Sequence, residues 1–195
     1  MTDAGTPGIS DPGEELVRMC AESGIPMVTI PGPCAAIAAM SLSGMSSGRF
    51  AFEGFLSTAR KSRFEHLEEL KTEKRTMVFY EAPHKLSRTL NDMLLVFGDR
   101  RISISRELTK LYEETLRYTL SEAITHFERT APKGEFVLII EGAQDQSASD
   151  NSLEKAIAVA ESLLADGMTV KDAVRIAAGE KCVPKNALYK AIISR

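Results

Sequence analysis

Two short turns rich in glycine and proline are the segments of this chain best suited to contact a ligand. The first spans residues 3–13 (Asp-Ala-Gly-Thr-Pro-Gly-Ile-Ser-Asp-Pro-Gly), and the second spans residues 31–34 (Pro-Gly-Pro-Cys). Glycine lets a backbone approach a bound molecule closely, and such turns commonly carry function. The second turn also precedes a predicted helix, whose first amide groups would suit an anion or a polar ligand edge. Either turn is also compatible with simple chain reversal.

A few ionisable side chains follow predicted strands, where α/β proteins commonly place their sites. His84 lies just beyond such a strand, so it is either a candidate general base or an ordinary residue at a helix start. Glu107 and Lys110 follow another predicted strand and belong either to a site or to a solvated ion pair. No spacing of serine, histidine and aspartate in the sequence supports a nucleophilic triad.

The hydrophobic pattern predicts alternating helices and strands that would position these residues. Ser121 is predicted to cap one helix, and the helix at 34–42, which is apolar nearly all round, is predicted to be buried. The aromatic residues Phe50, Phe52 and Phe55 are predicted to share one strand face. Such an order of elements is typical of an α/β fold. The predicted strands are 27–30, 49–56, 76–80, 101–106, 115–119 and 135–141, and the predicted helices are 14–23, 34–42, 60–74, 83–97 and 121–130.

The last quarter of the chain differs in character from the rest. Residues 144–151 are polar and predicted to be flexible, and three short helices follow at about 153–165, 170–178 and 184–193. A helix pair joined by a short turn resembles a helix-turn-helix. From residue 181 onward the charges are all basic, which favours either a phosphate-facing surface or a solvated helical end. These basic residues are Lys181, Lys185, Lys190 and Arg195.

Composition narrows the class of protein. The chain has 195 residues, 44% of them hydrophobic, and a net charge of −3, which is ordinary for a globular protein and not typical of a nucleic-acid binder. The three cysteines form no CxxC pair, so neither a zinc site nor a disulfide framework is indicated. Without a signal peptide or an apolar run of about 20 residues, the sequence predicts a cytoplasmic protein.

Six motifs occur in this chain in the following order: Thr2–Gly13, Pro31–Ala35, Tyr80–Lys85, Arg106–Lys110, Lys133–Gly142 and Lys185–Lys190. In this combination the chain is similar to the tetrapyrrole-methylase-like methyltransferases, and within them to the bacterial 2′-O-ribose methyltransferases of small-subunit ribosomal RNA. The resemblance covers essentially all of the sequence.

The resemblance implies two α/β domains of the tetrapyrrole methylase type, the first incomplete, followed by a small C-terminal helical segment. The corresponding boundaries are 1–48, 49–143 and 144–195. It implies S-adenosylmethionine in the cleft between the two domains and a homodimer. The methyl acceptor would be a cytidine 2′-hydroxyl in 16S rRNA of the small ribosomal subunit. No metal, DNA or membrane is implied.

The resemblance also implies which residues bind these molecules. Lys181, Lys185, Lys190 and Arg195 would hold RNA through its phosphates. No residue is assigned as a catalytic base. The residues implied to bind the cofactor are Gly5, Thr6, Pro7, Ile9, Ser10, Cys34, Ala35, Tyr80, Glu81, Gly134 and Glu135.

Members of the family begin with a strand and more of the first domain than precedes Thr2 here. We therefore expect that the chain lacks roughly the first third of the family's length. We also expect residues 1–12 to be poorly supported or to pair with a neighbouring chain, and the chain alone to show weak or no activity. Two rival functions stay open, a methylase of small tetrapyrroles and a non-catalytic chain that binds RNA or dimerises. The basic tail and the motif Tyr80–Lys85 favour RNA.

Overall fold

The structure, a computed structural model, describes residues 5–144, 150–180, 183 and 185–193. The chain divides into two units, residues 1–143 and 144–195. The predicted boundary at residue 48 lies within the first unit and stays a prediction. The predicted flexibility of 144–151 falls largely on residues 145–149, which lie outside the described residues.

The first unit is a mixed α/β structure, which confirms the predicted fold class. Its helices and strands alternate much as the hydrophobic pattern predicts. In chain order the elements are α1 (Glu14–Glu22), α2 (Ala35–Ser43), β1 (Phe50–Phe55), α3 (Arg60–Glu69), β2 (Thr76–Glu81), α4 (Pro83–Phe97), β3 (Arg101–Arg106), β4 (Glu114–Thr119), α5 (Leu120–Arg129) and β5 (Phe136–Ile140).

The five strands form one sheet in the order β1-β2-β5-β3-β4. Only β1 and β2 are parallel, and the other neighbours are antiparallel. The last strand of the unit, β5, occupies the middle of the sheet, and all five of its residues are buried. This explains its unbroken apolar sequence, because a central strand covered on both faces has no solvent-facing side.

Helices cover both faces of the sheet. On one face, Met77 and Phe79 of β2 pack with Leu67 of α3 and with buried residues of α4 and α5. On the other face, Val78 and its neighbours pack against the buried side of α2. The sheet therefore separates two hydrophobic clusters, one on each of its faces.

The strand predicted at 27–30 is wrong, because these residues form no regular element. Val28 is 95% exposed and Ile30 is 83% exposed. No described strand lies beside them to accept their backbone hydrogen bonds, and a strand needs such a neighbour. The apolar pattern is typical of a strand, but it does not show whether a neighbouring strand is present to pair with it.

Three helix predictions need correction at their ends or faces. The helix α2 is buried on one side only, since Ile37 is 53% exposed, and it continues to Ser43 before Gly44 ends it in the left-handed conformation. The helix α3 ends at Glu69 rather than at residue 74. The cap of α5 is Thr119 rather than Ser121, because Thr119 forms a reciprocal capping box with Glu122.

A buried ion pair joins α3 to α4, and no sequence pattern predicted it. The Arg63 side chain is 2% exposed, and its Nε donates to Asp92 Oδ2 at 2.7 Å. Its Nη1 donates to the carbonyl oxygens of Ser57 and Thr58 at 3.0 and 3.1 Å. A cation this deeply buried requires such a complete set of partners. Arg63 therefore fixes the loop after β1 against two helices.

A compact ion pair precedes β2 and predicts a dependence of stability on pH. Glu73 accepts hydrogen bonds from Arg75 Nη2 at 2.6 Å, Arg75 Nε at 3.0 Å and the Arg75 backbone N–H at 2.8 Å. These bonds lower the pKa of Glu73 from 4.5 to about 2. Because the folded pKa is the lower one, this stabilisation is present above pH 4.5 and is lost as the pH falls toward 2.

We therefore expect Glu73→Gln to lose less thermal stability than the wild type when the pH is lowered from about 5 to about 2.5. Melting temperatures of both proteins across this range check the prediction. The expected difference is small, because Arg75 is 45% exposed and solvent screens the pair. Melting temperatures that fall equally with pH in the two proteins would contradict the lowered pKa of Glu73.

The second unit consists of three helices, α6 (Asp150–Ala165), α7 (Val170–Glu180) and α8 (Lys185–Ile193). Their shared core is built mainly from small side chains, among them Ala156, Ala160 and Ala177, closed by Leu188. Small residues at helix contacts let the backbones approach closely. Among the described residues of both units, no helix is long and apolar enough to cross a membrane.

Candidate functional site

The two glycine and proline turns are bonded directly to each other. The backbone N–H of Thr6 donates to the carbonyl of Pro33 at 3.0 Å, and Thr6 Oγ1 donates to the carbonyl of Gly32 at 3.1 Å. Gly5 has φ +79°, and a Cβ added there would lie 2.7 Å from the Pro33 carbonyl oxygen. Only glycine allows this contact, so the opening loop draws its support from the second turn rather than from a strand.

These joined turns form one wall of a cleft of about 380 Å³. The opposite wall comes from one edge of the sheet. Glu81 at the end of β2 and Arg106 at the end of β3 both pair with Phe136 at the start of β5. The carboxyl ends of two strands and the amino end of the central strand therefore meet at the cleft. Its remaining wall is the loop of residues 107–110.

All but two of the predicted cofactor residues line this cleft. Pro7 and Gly134 are not among its lining residues. The resemblance grouped turns and strand ends that are far apart in the chain, and the fold places them around one cleft. Their roles in binding stay predictions. The lining residues from the predicted set are Gly5, Thr6, Ile9, Ser10, Cys34, Ala35, Tyr80, Glu81 and Glu135.

Gly134 contributes to the cleft indirectly. It has φ +81°, and a Cβ added there would lie within 2.5–2.7 Å of the Glu107 side chain. Glu107 itself lines the cleft. Gly134 is therefore needed to leave room for the Glu107 side chain.

Tyr80 links the sheet to the second turn. Its hydroxyl accepts a hydrogen bond from the backbone N–H of Ala36 at 3.1 Å, in the first turn of α2. The N-cap residue Cys34 makes no side-chain capping bond, so Tyr80 satisfies an amide that the helix leaves free. Burial raises the pKa of Tyr80 above its ordinary value. The phenol therefore stays neutral and holds the turn in place.

Glu81 is a buried carboxylate, 1% exposed, at the same edge. One oxygen accepts from the Ala82 backbone N–H at 2.8 Å and lies 3.4 Å from Lys85 Nζ, and the other accepts from Thr89 Oγ1 at 2.6 Å. Both oxygens are thus already bonded within the start of α4. These bonds anchor α4 beside the cleft. His84, the other ionisable candidate of this segment, is exposed and is not a lining residue.

Backbone strain is concentrated around the cleft. Among the described residues other than glycine, positive φ occurs at Ser10 (56°), Glu107 (50°) and Thr109 (65°), and all three line it. Such conformations persist only where the surroundings enforce them, and they cluster at functional sites. Nothing in these residue types revealed the strain, since sequence reasoning expects glycine or asparagine there.

Ion pairing and backbone hydrogen bonding stabilise the strained loop. Lys110 Nζ lies 3.0 Å from Glu107 Oε1, and its ammonium lowers the pKa of Glu107. The backbone N–H of Thr109 donates to Glu113 Oε2 at 2.6 Å. Glu107 and Lys110, which the sequence left as either site residues or a solvated pair, are therefore an ion pair that also lines the cleft.

Two lining residues had no signal in the sequence at all, since Ala38 and Ser105 are ordinary members of a helix and a strand. Asp11 lies in the first glycine and proline turn but was not among the predicted cofactor residues. Phe55 was predicted only to share a strand face with Phe50 and Phe52, yet it also lines the cleft.

The predicted RNA-binding lysines lie in the second unit. Lys185 and Lys190 are both exposed on α8. Five residues along a helix correspond to about 140° of rotation, so the two positions do not share one face. Lys181 and Arg195 lie outside the described residues, and the RNA-binding role of all four stays a prediction.

Comparison with known proteins identifies the family. Residues 1–124 match the family model of Tetrapyrrole (Corrin/Porphyrin) Methylases. The chain belongs to this methylase family. Residues 150–195 match a second family model, described as the RsmI C-terminal HTH domain. The second match agrees with a helical C-terminal unit of the helix-turn-helix kind.

Individual relatives extend this result. The chain is 46% identical over 191 residues to ribosomal RNA small subunit methyltransferase I of Synechocystis sp., a match covering 97% of the chain and 68% of that relative. It is 40% identical over 195 residues to the Bacillus subtilis protein of the same name, covering 98% of the chain and 67% of that relative. The chain thus spans about two thirds of the length of these curated relatives.

A solved structure shares the fold of this methylase. The crystal structure of the methyltransferase CobJ superposes with a TM-score of 0.54 and 20% sequence identity, covering 71% of the chain and 62% of CobJ. At this level of identity the likeness concerns the fold alone.

Proposed function

We propose that this chain carries the S-adenosylmethionine site of a methyltransferase that modifies the 2′-hydroxyl of a cytidine in 16S rRNA. The observation that carries the proposal is the cleft in which the two bonded turns face the strand ends. Relatives that are 40–46% identical are named for methylation of small-subunit rRNA, which supports the substrate class. A homodimer and a cytoplasmic location are parts of the same proposal.

The residues around the cleft fit such a cofactor. A volume of about 380 Å³ lies within the range of roughly 300–1,000 Å³ that is usual for small-molecule sites. Ile9, Ala35 and Ala38 offer apolar surface, while Asp11 and Glu135 supply carboxylates to the same space. This mixture suits a molecule that combines an aromatic base, a ribose and a charged amino-acid portion.

Methyl transfer depends more on orienting the acceptor oxygen than on activating the methyl group. S-adenosylmethionine supplies a methyl group already activated by its sulfonium. The acceptor oxygen must then be held in line with that methyl group, and such alignment contributes much of the rate in reactions of this kind. The bonds Tyr80–Ala36 and Thr6–Pro33 fix the walls in advance, and the loop 107–110 is preset by its ion pair. A 2′-hydroxyl acceptor restricts the substrate to RNA.

Isothermal titration with S-adenosylhomocysteine tests the cofactor part of the proposal directly. We expect saturable binding to one site per chain, and an absence of heat exchange at saturating ligand would contradict it.

Transfer of a labelled methyl group to undermethylated small subunits tests the acceptor. We expect any label to be recovered as 2′-O-methylcytidine after digestion to nucleosides, even where the yield from this chain is low. Label on a nucleobase would overturn the 2′-hydroxyl as the acceptor. Tight binding of a porphyrin, followed by its absorption band, would instead favour the small-molecule alternative.

A further inference from the structure

A bulge in β1 turns Phe55 toward the cleft. Phe52 pairs with Val78 and Phe55 pairs with Tyr80, so three residues of β1 span the distance of two in β2. The extra residue places Phe55 on the same face as Phe52, whereas simple alternation would place it on the opposite face. Bulges of this kind often re-aim a side chain beside an active site.

The bulge is built around Gly54, which lies close to Ser10 of the opening loop. Gly54 has φ +62°, a conformation that favours glycine, and a Cβ there would lie 3.5 Å from Ser10 Oγ. Ser10 lines the cleft together with Phe55. The bulge that directs Phe55 therefore lies close to the loop that forms the cleft wall.

The Phe55 ring is fixed by its neighbours yet remains accessible. Its centroid lies 5.5 Å from that of Tyr80 and 5.7 Å from the ammonium of Lys85. Lys85 is itself held by the buried carboxylate of Glu81 at 3.4 Å. Despite these contacts, Phe55 is 53% exposed. An aromatic ring held rigidly at a cleft and open to solvent is ready to bind a flat partner with little loss of conformational freedom.

We propose that Phe55 is the stacking surface for a nucleobase of single-stranded RNA at the cleft. The inference rests on the proposed function and names a contact for its nucleic-acid substrate. Unstacked bases in single-stranded RNA commonly stack on aromatic side chains, and a neighbouring cation adds attraction. A base seated on Phe55 would bring its own ribose to the cleft, where the 2′-hydroxyl is required.

The structure also provides a matched control. Phe52 contacts the same Tyr80 ring, with centroids 5.2 Å apart, and is 37% exposed, but it is not a lining residue of the cleft. Phe52→Leu and Phe55→Leu therefore remove similar aromatic contacts from one strand face. Only the second removes an aromatic surface from the cleft.

The experiment compares the affinities of a fluorescently labelled oligocytidylate and an abasic ribose-phosphate of the same length, at one salt concentration. Phosphate contacts, including those of the C-terminal lysines, are common to both probes, so the affinity ratio isolates the contribution of the bases. We expect the wild type and Phe52→Leu to prefer the oligocytidylate by about 10-fold, the typical effect of one stacked base. Phe55→Leu should bring the ratio close to one, while Phe55→Trp should preserve it.

Each outcome decides the inference separately from the proposed function. A ratio that Phe55→Leu leaves unchanged, that Phe52→Leu abolishes equally, or that is already near one in the wild type overturns the stacking role. Titration of the wild type with S-adenosylhomocysteine is independent of these ratios. Cofactor binding without a ratio dependent on Phe55 would sink only the stacking role, whereas the dependent ratio without cofactor binding would sink only the proposed cofactor site.

Discussion

Replacing Arg63 with methionine should lower the free energy of unfolding by about 3–5 kcal/mol, the usual cost of removing one partner from a buried ion pair. The variant would keep most of the apolar volume of the side chain. It would leave the Asp92 carboxylate without the cation 2.7 Å away, and the carbonyls of Ser57 and Thr58 without their donor. Denaturant titration followed by circular dichroism measures the loss.

A surface arginine provides the comparison for this prediction. Arg18 is 61% exposed and pairs with Glu15 and Glu22 along α1. Arg18→Met should change stability by no more than about 1 kcal/mol, as expected for exposed pairs. A double variant, Arg63→Met with Asp92→Leu, should recover part of the loss because no buried charge then remains unpaired. Equal effects of the two single substitutions would contradict the role of Arg63 described above.

The substitution Gly5→Ala should weaken binding of S-adenosylhomocysteine by at least about 10-fold. Alanine in the left-handed conformation costs roughly 1–2 kcal/mol. A loss of about 1.4 kcal/mol in binding free energy raises the dissociation constant about tenfold. The new Cβ would also lie 2.7 Å from the Pro33 carbonyl oxygen, which already accepts the Thr6 N–H. The two turns must then separate, and the wall of the cleft changes shape.

Gly24→Ala separates the two causes of this loss. Gly24 has φ +66°, but a Cβ there would meet nothing within 4 Å, and it is not a lining residue of the cleft. It carries a similar conformational cost without the contact to Pro33. We expect its dissociation constant to stay within about twofold of the wild type while its stability falls by roughly 1–2 kcal/mol. Equal losses of affinity in both variants would contradict a role for the joined turns in binding the cofactor.

The regular elements of this fold were predictable because their patterns are local. The apolar run of β5 and the stripe of Leu86, Leu90 and Met93 in α4 each need only their own sequence to be recognised. The order of strands in the sheet was not predictable in this way. Nor was the failure of residues 27–30 to form a strand, because strand formation depends on a neighbour that a local pattern does not describe.

The candidate site was predictable only where the residue type itself indicates a backbone conformation. Glycine at residue 5 indicated a close backbone approach to a ligand, which stays a prediction, and the structure shows a close approach of Gly5 to the Pro33 carbonyl. Glu107 and Thr109 adopt positive φ without being glycine, and Phe55 reaches the cleft through a register shift. These features arise from tertiary packing, so residue identity gives no warning of them. The motifs of the family supplied what local reasoning could not, the grouping of distant turns.

The central position of β5 has a consequence for how the protein is made. β5 separates β2 from β3, yet both of those strands leave the ribosome before it does. Until about residue 140 is available, each has an edge with unpaired backbone groups, and such edges invite pairing with other chains. The cleft shares this dependence, since Glu135 and Val137 complete its lining. Synthesis therefore delivers the opening loop before the strand that closes its opposite wall.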